Sequence, residues 1–307
     1  CTEESGHAKT LTCPYHCWVY KKNGDLRAAR LMPDDFDKSE HGLHPVNVEV
    51  VEGLIFICLS QSPPDFHKVL DDFKPFLKPY KFENAKVAHH DRYEIKGNWK
   101  LFVQNFRECY HCGPAHPEYC SAVVGANYME DEIRDSHWEK SKQQWEEKGL
   151  AYETVDFKPN TSHFAIRYPL REGIQSYSLD GKAVSIPMGD HTDYENGVVG
   201  FVKLPNFWLD CVSDYAWAMR ITPKDARSCI IDITFLVDYN AKEGKDYSKE
   251  NLTQFWDITG GQDWELIKNN QTGIESSQYR PGPYSLVEKE VSDFDAWYIS
   301  ELKKHFS

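Results

Sequence analysis

The side chains best suited to chemistry in this 307-residue chain lie in one short segment, residues 105–117. It contains Glu108, His111 and His116, with Gly113-Pro114 between the histidines. Five residues turn an α-helix by about 500°, so the two imidazoles cannot share one face of an unbroken helix. Gly113-Pro114 predicts a break that lets His116 turn back toward His111. The spacing therefore predicts two imidazoles on one metal ion, with Glu108 one helical turn before His111.

Two imidazoles and one carboxylate form the facial triad that holds Fe(II) with open coordination positions. We predict that Asp263 supplies the carboxylate, because Trp264, Leu266 and Ile267 on the same predicted helix are expected in the core and would aim it inward. Two other interpretations stay open. The histidines could be metal-free helix-end or core residues, or a structural zinc site could use ligands from Cys109, His111, Cys112, His116 and Cys120.

A second cluster, Cys13-Pro-Tyr-His16-Cys17, precedes a predicted hairpin. A Rieske [2Fe–2S] centre needs two cysteines on one iron and two histidines on the other, and each of two loops supplies one of each. Cys13 and His16 would be half of such a cluster. The chain begins at Cys1 rather than at Met, and we expect the partner Cys-x-His loop upstream of it. The cluster is therefore predicted to be incomplete in the chain as given.

Composition limits the classes of partner. The formal charge of -13 argues against nucleic acid and against an anionic membrane surface. No apolar run approaches the roughly 18 residues of a membrane span, and no signal segment is present. The nine cysteines are an odd number, and several adjoin histidines. This pattern indicates metal ligation in a reducing compartment, and we place the protein in the cytoplasm.

The predicted elements indicate an α+β chain with two domains. Residues 1–62 are predicted as short strands and turns, with hairpins at Asn23-Gly24 and Glu52-Gly53. The segment 61–65 breaks both periodicities and marks the boundary, so that residues 63–307 form the second domain. Within that domain we expect strands at 86–95, 198–204, 216–222 and 230–237, and helices at 98–112, 130–148, 252–276 and 294–306.

Four sequence segments together resemble the Rieske non-haem iron oxygenase family, in its α (oxygenase) subunit. The first is Thr12 to Trp18, with Cys17 where a glycine is usual, and the second is Gly53 to Ile57. The third runs from Asn98-Trp99-Lys100-Leu101 to His116-Pro117, and the fourth is Asp263 with Gln271. The resemblance implies a small β Rieske domain, lacking its N-terminal part here, and a helix-grip (START-like) catalytic domain with an antiparallel sheet and helices.

The resemblance also implies partners and an electron route. The family forms homotrimers, with or without β subunits, and receives electrons from NAD(P)H through a flavin/ferredoxin reductase. Electrons pass from the Rieske cluster of one subunit to the mononuclear iron of its neighbour. An acidic residue bridges the two centres, and here Glu108 would link His16 of the partner subunit to His111. Aspartate is common at that position, so Glu108 is a departure.

Two segments, Glu108 to Cys112 and Tyr279 to Tyr284, look most like the branch that oxidises quaternary ammonium compounds. That branch includes glycine betaine, stachydrine, carnitine and choline monooxygenases. We therefore expect hydroxylation or N-demethylation of such a compound, whose cationic head would bind over aromatic faces. The candidates for this aromatic cage are Phe201, Phe207, Trp208, Tyr215 and Trp217. The alternatives are an aromatic-ring-hydroxylating dioxygenase and a metal-free helix-grip ligand-binding protein.

Overall fold

The computed structural model of the protein describes residues 6–127, 131–158, 160 and 162–306. The chain divides into two compact units, with the boundary between Asp65 and Phe66. The hairpin tip 51–54 belongs to the second unit. That these units correspond to a Rieske domain and a catalytic domain stays a prediction.

The first unit is built of short strands. Strands β1, β2 and β3 form an antiparallel sheet, and β4 pairs with β5. Their bounds are Leu11–Thr12, Val19–Tyr20, Leu26–Ala28, Asn47–Val51 and Leu54–Cys58, and a 3-10 helix covers Lys38–His41. The turn between β2 and β3 contains Gly24 at φ 92°, a left-handed conformation that glycine adopts without strain. Both predicted hairpins are confirmed.

The second unit contains a six-stranded antiparallel sheet of order β6-β11-β10-β9-β8-β7 among the described residues. These strands are β6 Ala85–Ile95, β7 His163–Tyr168, β8 Val198–Lys203, β9 Phe207–Cys211, β10 Tyr215–Asp225 and β11 Ser228–Asp238. The helices are α1 His67–Leu77, α2 Trp99–Asn105, α3 Cys112–Ala115, α4 Pro117–Ala122, α5 Asp131–Glu147, α6 Lys249–Ile274 and α7 Lys289–Phe306. Two 3-10 turns, Lys78–Tyr80 and Phe82–Asn84, follow α1.

Helices cover both faces of this sheet. On one face, Phe73 of α1 packs on Phe201 of β8, with ring centroids 4.4 Å apart. On the other face, Trp256 of α6 lies 4.3 Å from Trp217 of β10. An antiparallel sheet packed against one long helix, here α6, is the helix-grip arrangement. The predicted α+β fold class is confirmed.

Helix α6 turns one stripe of side chains toward the sheet. The buried members recur at three- and four-residue spacing and are Leu252, Phe255, Trp256, Thr259, Gly260, Asp263 and Ile267. Ser248 caps the helix by accepting from the Asn251 amide, and Gln271 accepts from the Asn98 amide at the start of α2. These contacts fix α6 relative to α2.

The structure differs from the predicted elements in one helix end, two strands and one side chain. Helix α2 ends at Asn105, whereas the pattern predicted helix up to the Gly113-Pro114 break. Strands β7 and β9 were not predicted, because each is short and interrupted by polar residues. Leu266, expected in the core, is 39% exposed.

Among the described helices, none combines the length and apolarity needed to cross a membrane.

Candidate metal centre

His111 and His116 flank the short helix α3 rather than ending a long one. His111 occupies the N-cap position of α3, and His116 lies between α3 and α4. The segment from Phe106 to His111 is non-helical, so the expected placement of Glu108 and His111 on one helical face is wrong. Proximity arises instead because Glu108 accepts from the amides of Tyr110 and His111 and folds back over the turn.

Three potential ligand atoms converge in this region. The Nε2 atoms of His111 and His116 are 3.1 Å apart, and Oδ1 of Asp263 lies 3.2 Å and 3.0 Å from them. Cis ligands that are each about 2.1 Å from one six-coordinate metal lie roughly 3.0 Å apart. The three atoms therefore fit one face of an octahedral site, which is the geometry of the triad for Fe(II).

The remaining nitrogen of each imidazole has a carbonyl or carboxylate partner. Nδ1 of His111 lies 2.6 Å from Oε1 of Glu108, and Nδ1 of His116 lies 2.7 Å from Oε1 of Gln262. These oxygens can only accept, so Nδ1 carries the proton and Nε2 is the nitrogen available to a metal ion. Such partners orient metal-binding histidines and raise their basicity.

The cluster attracts positive charge. Burial alone would lower the pKa of His111, but Asp263 and Glu108 outweigh it and raise that pKa to about 9. The pKa of His116 is also raised, because Asp263 and Gln262 outweigh its burial. Burial opposes ionisation of Asp263, yet its two histidine partners hold the pKa of the carboxyl below its usual range. A divalent cation would replace the protons that these groups hold.

A cavity of about 190 Å³ opens beside the three atoms. Its floor is the sheet, because two rows of cross-strand neighbours point into it. One row is Ile166, Gly200, Asp210 and Trp217, and the next is Phe164, Val202, Trp208, Met219 and Ile233. The opposite wall is made by Trp256, Thr259, Gly260 and Trp264 of α6.

The structure separates the five predicted cage residues, by strand alternation for Phe207 and by position along β10 for Tyr215. Trp208 and Trp217 line the cavity. Phe207 is one position out of phase on β9 and is not among the lining residues. Tyr215 is also absent from the lining, and its hydroxyl accepts a hydrogen bond from the indole N–H of Trp256. Phe201 borders the cavity, but its ring packs on Phe73 and Phe76 of α1.

The other predicted cluster lies in the first unit, in the loop between β1 and β2. The Cys13 amide donates to Trp18 O, and the Cys17 amide donates to Cys13 O, so the loop closes on itself. Cys17 has φ 59°, the left-handed region that favours glycine. His16 is exposed and Cys13 half-buried. The structure brings Cys13 and His16 into one tight loop.

The cysteines near His111 differ from expectation. Cys109 and Cys112 are joined in a disulfide, whereas cysteine usage indicated reduced thiols and metal ligation. A disulfide sulfur is not a thiolate, so these two residues cannot serve the zinc alternative in this form. Cys120 Sγ donates instead to the Cys112 carbonyl oxygen at 3.4 Å.

Two polar residues of this region were missed from sequence. Gln262 immediately precedes Asp263 and contacts His116. Asp210 faces the cavity from β9, and its neighbours Phe207, Trp208, Leu209 and Cys211 are apolar. An acidic residue inside an apolar strand was the available signal for Asp210. Gln262 offered none, because a glutamine on a charged helix is ordinary.

Comparisons with known proteins identify the family of this chain. Residues 82–304 match the family model described as the ring hydroxylating alpha subunit, catalytic domain. The chain is 36% identical over 319 residues to the glycine betaine monooxygenase oxygenase subunit of Chromohalobacter salexigens, covering 98% of this chain and 69% of that protein. It is 34% identical over 315 residues to the carnitine monooxygenase oxygenase subunit of Acinetobacter pittii, covering 97% of this chain and 72% of that protein.

The fold is similar to a solved structure described as a quaternary ammonium Rieske monooxygenase, with a TM-score of 0.69 at 21% identity. That similarity covers 97% of this chain and 73% of the other. The matched family model spans most of the chain and includes the segments that carry His111, His116 and Asp263. The chain belongs to the ring-hydroxylating oxygenase α-subunit family of Rieske-type oxygenases.

Proposed function

We propose that the chain is an oxygenase component that uses O2 and reductase-supplied electrons to hydroxylate or N-demethylate a small quaternary ammonium compound. One observation carries the proposal. His111, His116 and Asp263 converge at the wall of a small cavity that is lined with tryptophans. The named relatives support the substrate class, because glycine betaine and carnitine both carry a trimethylammonium group.

His111, His116 and Asp263 would hold the mononuclear iron, which supplies O2 activation when it is bound. Three protein ligands on one face leave the remaining coordination positions open toward the cavity. Trp208 and Trp217 would present aromatic faces to the cationic head and exclude water from it. Glu108 and Gln262 would hold the two imidazoles so that Nε2 faces the iron.

Two electrons supplied by the reductase balance the proposed reaction. One N-methyl group, O2, two electrons and two protons give an N-hydroxymethyl group and water. Breakage of the N–C bond then releases formaldehyde, and a proton takes the place of the lost methyl group on nitrogen. NAD(P)H, through a flavin/ferredoxin reductase, is the proposed source of the electrons.

Electron delivery is proposed to run between subunits. Rieske-type oxygenases combine a [2Fe–2S] cluster with a non-haem iron, and Cys13 and His16 would supply half of the cluster ligands. The proposed domains are then a Rieske domain within residues 1–62 and an iron domain over 63–307. In a homotrimer, Glu108 would connect His16 of the partner subunit with His111. The contact of Glu108 with Nδ1 of His111 supports this route.

Two alternatives are weaker. A metal-free binding protein has no need for two imidazoles and a buried carboxylate within 3.2 Å of one another. An aromatic-ring dioxygenase would take a neutral arene, and the acidic Asp210 in the cavity wall disfavours such a ligand. The cytoplasm remains the proposed location, because six of the eight described cysteines are free thiols and Cys109 with Cys112 forms the single disulfide among them.

The test combines metal analysis with substrate trials. We expect about one mononuclear iron per chain, and formaldehyde release from a trimethylammonium substrate in the presence of NAD(P)H and reductase. An Asp263→Ala control should lose the iron and the activity together. Zinc in place of iron, or formation of cis-diols from arenes with no formaldehyde from betaines, would overturn the proposal.

A further inference from the structure

Asp210 is the one acidic side chain of the cavity wall that has no basic partner among the residues that the structure describes. The cavity wall contains four other acidic or guanidinium side chains, and each lies within 3.2 Å of an oppositely charged or imidazole partner. These pairs are Arg107 with Glu290, Glu108 with His111, and Asp263 with both histidines. Among the residues that the structure describes, Asp210 has no Lys, Arg or His within ion-pair distance, and its hydrogen-bond partner is the Tyr168 hydroxyl at 3.1 Å.

The backbone of the neighbouring strand approaches this carboxylate closely. Gly200 is the cross-strand neighbour of Asp210, and a Cβ there would lie 3.2 Å from its Oδ1 and 3.3 Å from the Tyr168 ring. On the other side, the cross-strand neighbour is Trp217, which packs on Trp256. The carboxylate therefore sits between the backbone of Gly200 and two indoles, and all four residues line the cavity.

An unpaired carboxylate in an apolar wall is costly unless a ligand brings the opposite charge. Burial raises the pKa of Asp210 to about 7, with the Tyr168 hydroxyl opposing that rise. A quaternary ammonium has no N–H group, so it needs a nearby negative charge and aromatic faces rather than directed hydrogen-bond acceptors. Asp210, Trp217 and Trp256 offer that combination.

We propose that Asp210 is the counter-charge for the trimethylammonium head of the substrate and determines the preference for cations over neutral molecules of the same shape. This inference rests on the proposed function and adds a specificity-determining residue to it. The aromatic faces alone would bind a tert-butyl group nearly as well, since it matches the trimethylammonium group in size. The carboxylate would make binding of the trimethylammonium group stronger than binding of the tert-butyl group.

The experiment measures binding of matched probes to the iron-loaded protein by anaerobic calorimetry. Glycine betaine is compared with 3,3-dimethylbutanoate, and choline with 3,3-dimethylbutan-1-ol, because each pair differs only in N⁺ against C. For the pair that binds, we expect a cation preference of roughly 10- to 100-fold in the wild type and of about onefold in Asp210→Asn. Asparagine keeps the size of the side chain and an acceptor for Tyr168, and unfolding is monitored to confirm that the variant folds.

Asp71→Asn is the matched control, because it makes the same chemical change at an exposed position of α1 that does not line the cavity. Its cation preference should stay at the wild-type level. A wild type that oxidises trimethylammonium compounds while Asp210→Asn keeps the full preference would overturn the role of Asp210 and leave the proposed function standing. A wild type that neither oxidises these compounds nor prefers them to the matched carbon probes would overturn both.

Discussion

Nδ1 of His116 lies 2.7 Å from the side-chain oxygen of Gln262, and this hydrogen bond decides which imidazole nitrogen faces the ligand cluster. The amide nitrogen of Gln262 donates to Glu118, 3.2 Å away. Because a carboxylate only accepts, the amide must turn its oxygen toward His116. Nδ1 of His116 therefore carries a proton, and Nε2 is left to Asp263 and to a metal.

Replacing Gln262 should weaken iron binding without removing a ligand. In Gln262→Met the side chain keeps its length but cannot accept from Nδ1, so His116 loses its fixed orientation. We expect the iron affinity to fall by about 10- to 100-fold, as judged from iron retained against graded chelator concentrations. Gln254→Met, the same change at an exposed position of α6, should retain iron like the wild type. Equal retention in both variants would show that Gln262 does not position His116.

Glu108 and Asp263 should respond differently to removal of charge. Glu108→Gln keeps an acceptor for Nδ1 of His111, so we expect it to keep its iron. Steady-state turnover should fall by about 10- to 100-fold, because the proposed inter-subunit bridge loses its carboxylate. Single turnover of pre-reduced protein should be less affected.

Asp263→Asn weakens a proposed iron ligand and should lose iron instead. The two variants are compared by their iron content, their steady-state turnover and their single turnover after pre-reduction. Iron loss in Glu108→Gln equal to that in Asp263→Asn would show that Glu108 is a ligand or a structural support.

The junction of β6, α2 and α6 leaves no room for a side chain at Gly97. A Cβ there would lie 2.4 Å from Cγ2 of Ile267, one helical turn beyond Asp263. Gly97→Ala should therefore destabilise the fold by about 1–3 kcal/mol, measured by denaturant unfolding. Gly261 of α6 has open space around its Cβ position, and Gly261→Ala should stabilise by about 0.5–1 kcal/mol. Unchanged stability of Gly97→Ala would mean that α6 can shift to accept the methyl group.

Asp210 should make stability depend on pH. Its pKa is raised by burial from 3.8 to about 7, so between these values the folded protein binds the proton more tightly than the unfolded chain. The free energy of unfolding therefore decreases as pH rises from about 4 to about 7. A pKa difference of about 3 corresponds to roughly 4 kcal/mol, which is the upper limit for this residue.

Asp210→Asn should remove this decrease. The free energy of unfolding of the variant should therefore increase relative to that of the wild type as pH rises. The groups facing Asp210 do not titrate in this range, because burial raises the pKa values of Tyr119, Tyr168 and Tyr177 above their usual range and Trp217 is neutral. Urea unfolding of both proteins between pH 4 and pH 8 measures the difference. Parallel pH profiles would show that Asp210 is not the unpaired carboxylate described here.

Short-range features of the sequence were sufficient for several elements. Asn23-Gly24 predicts a hairpin because glycine tolerates a positive φ, and Gly24 has φ 92°. The predicted helix break at Gly113-Pro114 is wrong, because both residues lie inside α3, but His111 and His116 do lie on either side of them. Helical periodicity also predicted that Asp263 lies on the buried face of α6. Each of these depends on residues within one or two turns of one another.

Other features depend on contacts between distant parts of the chain. The approach of Asp263 to His116 spans 147 residues and requires α6 to pack beside α3 and α4. The choice of Trp208 over Phe207 for the cavity depends on strand register, since a shift of one residue exchanges the two faces of a strand. Glu108 reaches His111 through a turn that helical periodicity did not predict.

The sequence by itself determined which residue types stand close together in the segments around His111 and His116 and around Cys13 and His16, because spacing within one segment is local. Only the tertiary structure decided which carboxylates are paired. Asp263 has histidine partners, whereas Asp210 faces the cavity with no counter-charge among the described residues. The physical reason is that the charge state and role of a buried acid are set by what packs around it, and those neighbours come from strands and helices far apart in the chain.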